Sequence, residues 1–170
     1  MDAVVLKEGS DADYIEVEEF WSKIHEDIIS QGKKVSWAIW KRLPGEAITI
    51  DSKPADYFIF NNYESQEQYD ASRDIDYAAI AQRVHGISKR KAEKMIDSSF
   101  DPRETTRSYT LSIQAQAVAT DFNPSAGLVC SISLMQQKND DYESFEKEVF
   151  KEQFQRGIDN GDHSFWGFTR

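Results

Sequence analysis

The sequence predicts an α+β protein built around a duplicated strand–helix–strand unit, on three observations. Apolar residues switch along the chain between strand-like alternation and helical recurrence. Serine and glycine punctuate the switches where helices start and stop. A pattern near one end then returns near the other. Asp13-Tyr14-Ile15-Glu16-Val17-Glu18 stands before an aromatic helix, Gly32 and Ser36-Trp37-Ala38-Ile39-Trp40. Asp141-Tyr142-Glu143-Ser144-Phe145-Glu146 stands before a second aromatic helix, Gly161 and Ser164-Phe165-Trp166-Gly167-Phe168. The offset is 128 at the tyrosines and 129 at the glycines, so the second helix holds one extra residue.

Each element has its own warrant. Residues 3–7 form a short apolar run that reads as a strand. Ser10 precedes Asp11 and Asp13, a helix start with acids at the positive end of the dipole. Tyr14, Val17, Trp21, Ile24 and Ile28 recur at helical spacing down to Gly32, read as a C-cap. Residues 35–42 place Trp37 and Ile39 on one face and Ala38 and Trp40 on the other, so a central strand covered on both sides is expected. Pro44-Gly45 and Lys53-Pro54 mark a loop over 43–54.

Residues 57–63 are a second apolar strand, and Ser65 with Gln68 is a capping-box pattern. Helix is expected from there to about Asp97, broken at Gly86 and restarted at Ser88. Residues 107–117 alternate Tyr109, Leu111, Ile113 and Ala115 against Thr110, Ser112, Gln114 and Gln116, which predicts a strand at an edge or lining a polar cavity. Residues 121–127 read as a linker, 128–135 as a strand burying Cys130, 140–160 as a helix and 164–169 as a last strand.

A strand–helix–strand unit cannot bury its sheet face alone, and two such units joined by β-pairing give the split βαβ, ferredoxin-like arrangement. Residues 1–120 hold one full set, βαββαβ. Residues 127–170 hold a partial second module, βαβ.

Composition narrows the partners. The chain is 39% hydrophobic and 12% aromatic, which is ordinary for a globular protein. A net charge of −10 speaks against nucleic acid and anionic membrane surfaces. A single cysteine leaves no intrachain disulfide. No apolar run reaches the roughly 20 residues of a membrane span. The first residues lack a signal peptide's basic and apolar regions, so a cytoplasmic setting is expected, although a chain beginning after a removed signal would read the same.

The elements Asp13-Tyr14, Trp21-x-x-x-His25, Gly32, Ser36-Trp37, and Asp56-Tyr57 through Asn61-Asn62-Tyr63 resemble bacterial proteins of the dimeric α+β barrel superfamily. That group holds the antibiotic-biosynthesis monooxygenases and the NIPSNAP-like, EthD-like and chlorite dismutase proteins. The resemblance implies a ferredoxin-like dimeric α+β barrel, tandem duplicated with an incomplete second module, assembled as a homodimer. It also implies a cavity that takes a small hydrophobic or aromatic ligand. It implies a fold more firmly than an activity.

The candidate site residues follow. His25 is the candidate proton-transfer residue, since its pKa suits that work near neutrality and the second copy has Phe154 in its place. Asn61, an amide on an apolar strand, is its candidate companion in catalysis, and cross-strand bonding is the structural alternative for Asn61 and Asn62. Trp21, Trp37, Tyr57 and His85 are candidate ligand-binding residues, although large aromatics are first of all core. The resemblance to heme-degrading members makes His85 the position for a heme ligand. The rest of that pattern is missing: residues 3–7 contain no asparagine and 64–98 no tryptophan.

No metal site, phosphate loop or nucleophile elbow is present, so no cofactor is expected, heme being the minor alternative. Whether the protein is an enzyme is not written in these residues. The expected function is binding of a small apolar or aromatic molecule in a barrel cavity. The alternatives are a cofactor-independent oxygenase or isomerase of the monooxygenase-like type, and a non-catalytic assembly or interaction protein.

Overall fold

In the computed structural model, which describes residues 1–45 and 47–170, the N-terminal alternating runs become one antiparallel sheet. Its strands are β1 (Asp2–Leu6), β2 (Ser36–Lys41), β5 (Tyr57–Asn62) and β6 (Arg103–Ser108), in the spatial order β2-β5-β1-β6. A small hairpin, β3 (Thr49–Ile50) with β4 (Lys53–Pro54), sits in the β2–β5 connection. Helix α1 (Asp11–Ser30) joins β1 to β2. Helices α2 (Gln66–Ala71), α3 (Tyr77–His85) and α4 (Lys89–Ser98) join β5 to β6. The architecture is therefore α+β, with a four-stranded antiparallel sheet.

The chain divides into two compact units, Met1–Tyr109 and Thr110–Arg170. The division falls ahead of the linker expected at 121–127. In the second unit β7 (Ile113–Val118) pairs antiparallel with β8 (Phe165–Thr169). Between them lie α5 (Tyr142–Ser144), a π-helical turn (Phe145–Phe150) and α6 (Lys151–Asp159).

Local chemistry accounts for most boundaries in the first unit. Gly32, at φ 68°, takes the left-handed conformation that ends α1, and the Gly32 and Lys33 amides donate to the carbonyls of Ile29 and Ile28. The Gln68 amide donates to Ser65 Oγ while Gln68 Oε1 accepts from the Glu64 amide, so the capping box forms, shifted by one residue on its return arm. Gly86 at φ 62° ends α3, and Ser88 caps α4 through the Lys91 amide. Ser10 precedes α1 as expected but makes no side-chain cap bond.

The core is in two layers. Val4, Tyr57 and Ile59 of the sheet enclose Tyr14 of α1, with Leu6, Trp37 and Ile39 against them. On its other side α1 packs Phe20, Ile24 and Ile28 against Ile80, Ala81 and Ala92 of α3 and α4. Because α1 is clamped between sheet and helices, it buries Glu18, Phe20 and His25 as well as the predicted stripe, while Val17 and Trp21 stay half-buried.

Three expectations are corrected. The strand at 35–42 is β2, and it lies at the sheet edge despite two apolar faces. The alternating run at 107–117 is two strands. β6 pairs along β1 until Ser108 reaches Asp2, where β1 runs out, and β7 then pairs with β8. A strand extends only as far as its neighbour's hydrogen-bonding groups. Residues 128–135 form no strand, and Cys130 is exposed rather than buried. In the first unit β1 is held by ladders to both β5 and β6, whereas β8 pairs with β7 instead.

Candidate functional site

The candidate site forms where the chain leaves α1, turns at Gly32 and enters β2. That turn carries Lys34 inward, leaving it only 2% exposed. Its Nζ lies 3.0 Å from His25 Nδ1 and donates to Asn61 Oδ1 at 2.7 Å. The Tyr63 ring centroid is 5.5 Å away. The assignment with Nζ donating to Nδ1 corresponds to the neutral His25 tautomer whose proton is on Nε2.

Aromatic rings wall this cluster. His25 stacks against Trp21 at 5.8 Å and against Trp37 at 5.1 Å between ring centroids. Tyr77 of α3 meets Trp21 edge-on at 5.6 Å. Two regular elements fix the arrangement. Trp21 and His25 are one helical turn apart on α1, and Trp37 stands directly across from Asn61 in the β2–β5 ladder. The neighbouring amide Asn62 takes the bland role, donating across the strands to Ser36 Oγ at 2.8 Å.

Burial dominates the electrostatics. Desolvation, with the nearby Lys34 charge second, lowers the His25 pKa to about 3. Desolvation lowers the Lys34 pKa to about 8, opposed by the Asp2 carboxylate. Among the described residues no carboxylate forms an ion pair with Lys34. A buried cation ordinarily has one.

The His25 value has a measurable consequence. A folded pKa below the ordinary 6.5 means that neutral His25 stabilises the fold fully above about pH 6.5, and that this contribution is lost as pH falls toward 3. The ring resonances of His25 are expected to remain those of the neutral form from about pH 8 to pH 5 in the folded chain. A titration midpoint near the unperturbed value would refute the buried stack.

The structure thus brings together His25, Asn61, Trp21 and Trp37 and leaves two other candidates elsewhere. Tyr57 is a core residue, its ring tilted against Tyr14 at 4.8 Å and its hydroxyl donating to Asp11 Oδ1 at 2.7 Å. His85 stacks on Phe20 at 4.6 Å, with Nε2 3.0 Å from the Phe20 carbonyl. Nε2 of His85, the position the resemblance gives to a heme ligand, is thus engaged with a backbone carbonyl. Among the described residues no group of three or more His, Cys, Asp or Glu side chains is placed to hold a metal ion, and no described helix is long and apolar enough to cross a membrane.

Sequence reasoning missed Lys34. A lysine just past a helix-ending glycine reads as a solvated charge, and the one signal pointing to it was Asn61, an amide on an apolar strand that needed a polar partner. A cleft of about 630 Å³ bordered by Gly32, Gln68, Ile75, Ile80 and Arg83 lies apart from this cluster, and its walls include neither His25, Lys34 nor Asn61. It holds no buried titratable group, so the cluster, not the cleft, is the candidate site. No family model, curated protein or solved structure matches the chain.

Proposed function

We propose that this chain is a ferredoxin-like module of the dimeric α+β barrel type that binds a small aromatic molecule, with His25, Lys34 and Asn61 forming the polar end of its site. One observation carries the reading: a buried amine without a carboxylate partner, set beside the Tyr63 ring and a His25 ring that stacks on Trp21 and Trp37. Aromatic walls favour a flat apolar body, and the amine favours an oxygen on it, carbonyl or anionic.

The barrel reading draws on the βαββαβ order and the antiparallel sheet of the first unit. The sheet face away from Tyr14 carries Ala38, Trp40, Phe58 and Phe60, of which Phe58 is buried and the others are half-buried, so both faces of the sheet are apolar. The duplication draws on the second unit's internal geometry. Its π-helical turn takes one more residue than an α-turn, which matches the extra residue between Tyr142 and Gly161. Gly161, at φ 81°, has its amide and that of Asp162 donating to the carbonyls of Ile158 and Gly157, as at Gly32. Phe154 stacks on Trp166 at 5.2 Å as His25 does on Trp37. The fold therefore asks for a flat ring at this helix position and not for a histidine.

A second reading, a cofactor-independent oxygenase or isomerase, is favoured by the same Lys34. An amine whose pKa is about 8 can accept a proton near neutrality.

Binding tests the proposal. Phenol-type and benzoate-type probes are expected to quench tryptophan fluorescence of the wild-type chain. Lys34→Met is expected to stay within about 2 kcal/mol of wild-type stability, because losing a buried charge offsets leaving Asn61 and His25 without their donor. The same variant is expected to weaken binding at least about tenfold, roughly 1.4 kcal/mol. Equal affinity in the two proteins, or no binding of either probe class, would sink the reading.

A further inference from the structure

We propose that Lys34 is a carbonyl-reactive amine, which forms an imine with aldehydes or ketones that enter between the aromatic walls of the His25–Lys34–Asn61 cluster. The inference rests on the preceding reading for where the ligand sits and adds the chemistry of its capture.

The valences at Nζ carry the argument. An ammonium has three N–H groups to satisfy, whereas a free amine has two and one lone pair. Two acceptors are in place, His25 Nδ1 at 3.0 Å and Asn61 Oδ1 at 2.7 Å. The only further acceptor surface among the described residues is the Tyr63 ring, its centroid 5.5 Å away. The surroundings thus give both N–H groups of a neutral amine a strong acceptor, while the third N–H of an ammonium meets only the Tyr63 ring face and no carboxylate.

The charged and titratable neighbours agree. His25 on α1 is neutral, Tyr63 follows β5, Tyr77 lies on α3 beyond Trp21, and Asp2 of β1 is the one acid whose charge favours protonation. Desolvation outweighs that attraction. Trp21, Trp37, Asn61, Tyr63 and Tyr77 around the cluster each retain partial exposure.

The step balances without any further reactant. The Nζ lone pair attacks the carbonyl carbon and the C=O π electrons move to oxygen. A proton passes from Nζ to that oxygen to give a carbinolamine. Loss of its hydroxyl with the second Nζ proton, as water, leaves C=N. His25 and Asn61 are positioning residues, each holding one N–H so that the lone pair is directed.

Benzaldehyde with cyanoborohydride tests this on the intact chain, since reduction fixes any imine as a benzyl group that peptide mass spectrometry assigns to a lysine. Near neutrality Lys34 is expected to be labelled at least about tenfold faster than the exposed Lys33 and Lys94, because an amine of pKa near 8 holds on the order of 100-fold more free base than an ordinary lysine. The wild-type rate should rise with a midpoint near 8.

Asn61→Asp places a carboxylate on Nζ and is expected to cut Lys34 labelling at least tenfold, moving the midpoint above that of an ordinary lysine, with circular dichroism unchanged. Labelling of Lys34 no faster than that of Lys33, or an Asn61→Asp rate equal to wild type, overturns the inference. If phenol-type probes still bind wild type in that case, the binding reading stands without it. If Lys34 is labelled while no aromatic probe binds, the amine chemistry stands and the aromatic ligand does not.

Discussion

Replacing Arg103 with leucine is expected to cost about 3–5 kcal/mol of folding stability near neutral pH. The guanidinium lies 3.2 Å from Glu18 Oε1, with the two side chains only 13% and 5% exposed. It also lies over the rings of Tyr14 and Phe100, at 5.6 and 5.2 Å from their centroids. Removing it strands a carboxylate in the layer between α1 and the sheet. Desolvation already raises the Glu18 pKa, with Tyr14 and Arg103 pulling it down. Without Arg103 it rises further.

The sign of the pH dependence follows. A carboxyl whose folded pKa exceeds its unfolded value destabilises the native state as pH rises through that interval, and costs nothing below it, where both states are protonated. The Arg103→Leu deficit in urea unfolding should therefore shrink on acidification. Pairing it with Glu18→Leu should recover most of the loss, because replacing both members of a buried pair is tolerated far better than breaking it. A deficit below about 1 kcal/mol, or one equal at acid and neutral pH, would mean that the pair does not secure this layer.

The second large effect is expected at Trp37, whose replacement by alanine should cost about 3 kcal/mol. Trp37 packs with Val4, Tyr14, Tyr57 and Ile59 and covers one face of His25. Its loss admits water to the imidazole, so the cause of the depressed His25 pKa is partly removed and histidine titration should move up toward 6.5. Trp37→Phe should keep most of the stability and the depressed titration, since Phe154 on Trp166 is a comparable pair of stacked rings. If His25 stays neutral to the same pH in Trp37→Ala, its burial comes from Trp21 and the helix and not from the strand.

Much of the fold was legible because local chemistry and tertiary packing agree there. Gly32, Gly86 and the Ser65–Gln68 box stop or start helices by bonds that reach only a few residues. Residues 57–62, read as an apolar strand, became β5. What could not be read depends on partners distant in sequence. Alternation over 107–117 is real, but β1 is too short to pair with all of it. Residues 128–135 have the composition of a strand without a ladder to join. The site was half legible: Trp21, His25, Trp37 and Asn61 were singled out by type and spacing. Lys34 was hidden because its burial depends on a turn folding under Tyr63, and Arg103 because its partner Glu18 is 85 residues away.

The ladder-free segment also bears on how copies of this protein behave toward one another. From Phe122 to Asn139 the sequence contains one charged residue, Lys138, in a chain whose net charge is −10. Within it Val129, Leu134 and Met135 are 74%, 62% and 61% exposed. A low-charge, β-prone, apolar segment in the open is where cross-chain strand pairing and fibril growth begin. The net charge of −10 opposes such pairing, a repulsion that reaches about 10 Å at 0.1 M salt and about 3 Å at 1 M. Light scattering is therefore expected to report more association between copies in 1 M salt than in dilute buffer, with this stretch protected from proteolysis as it pairs.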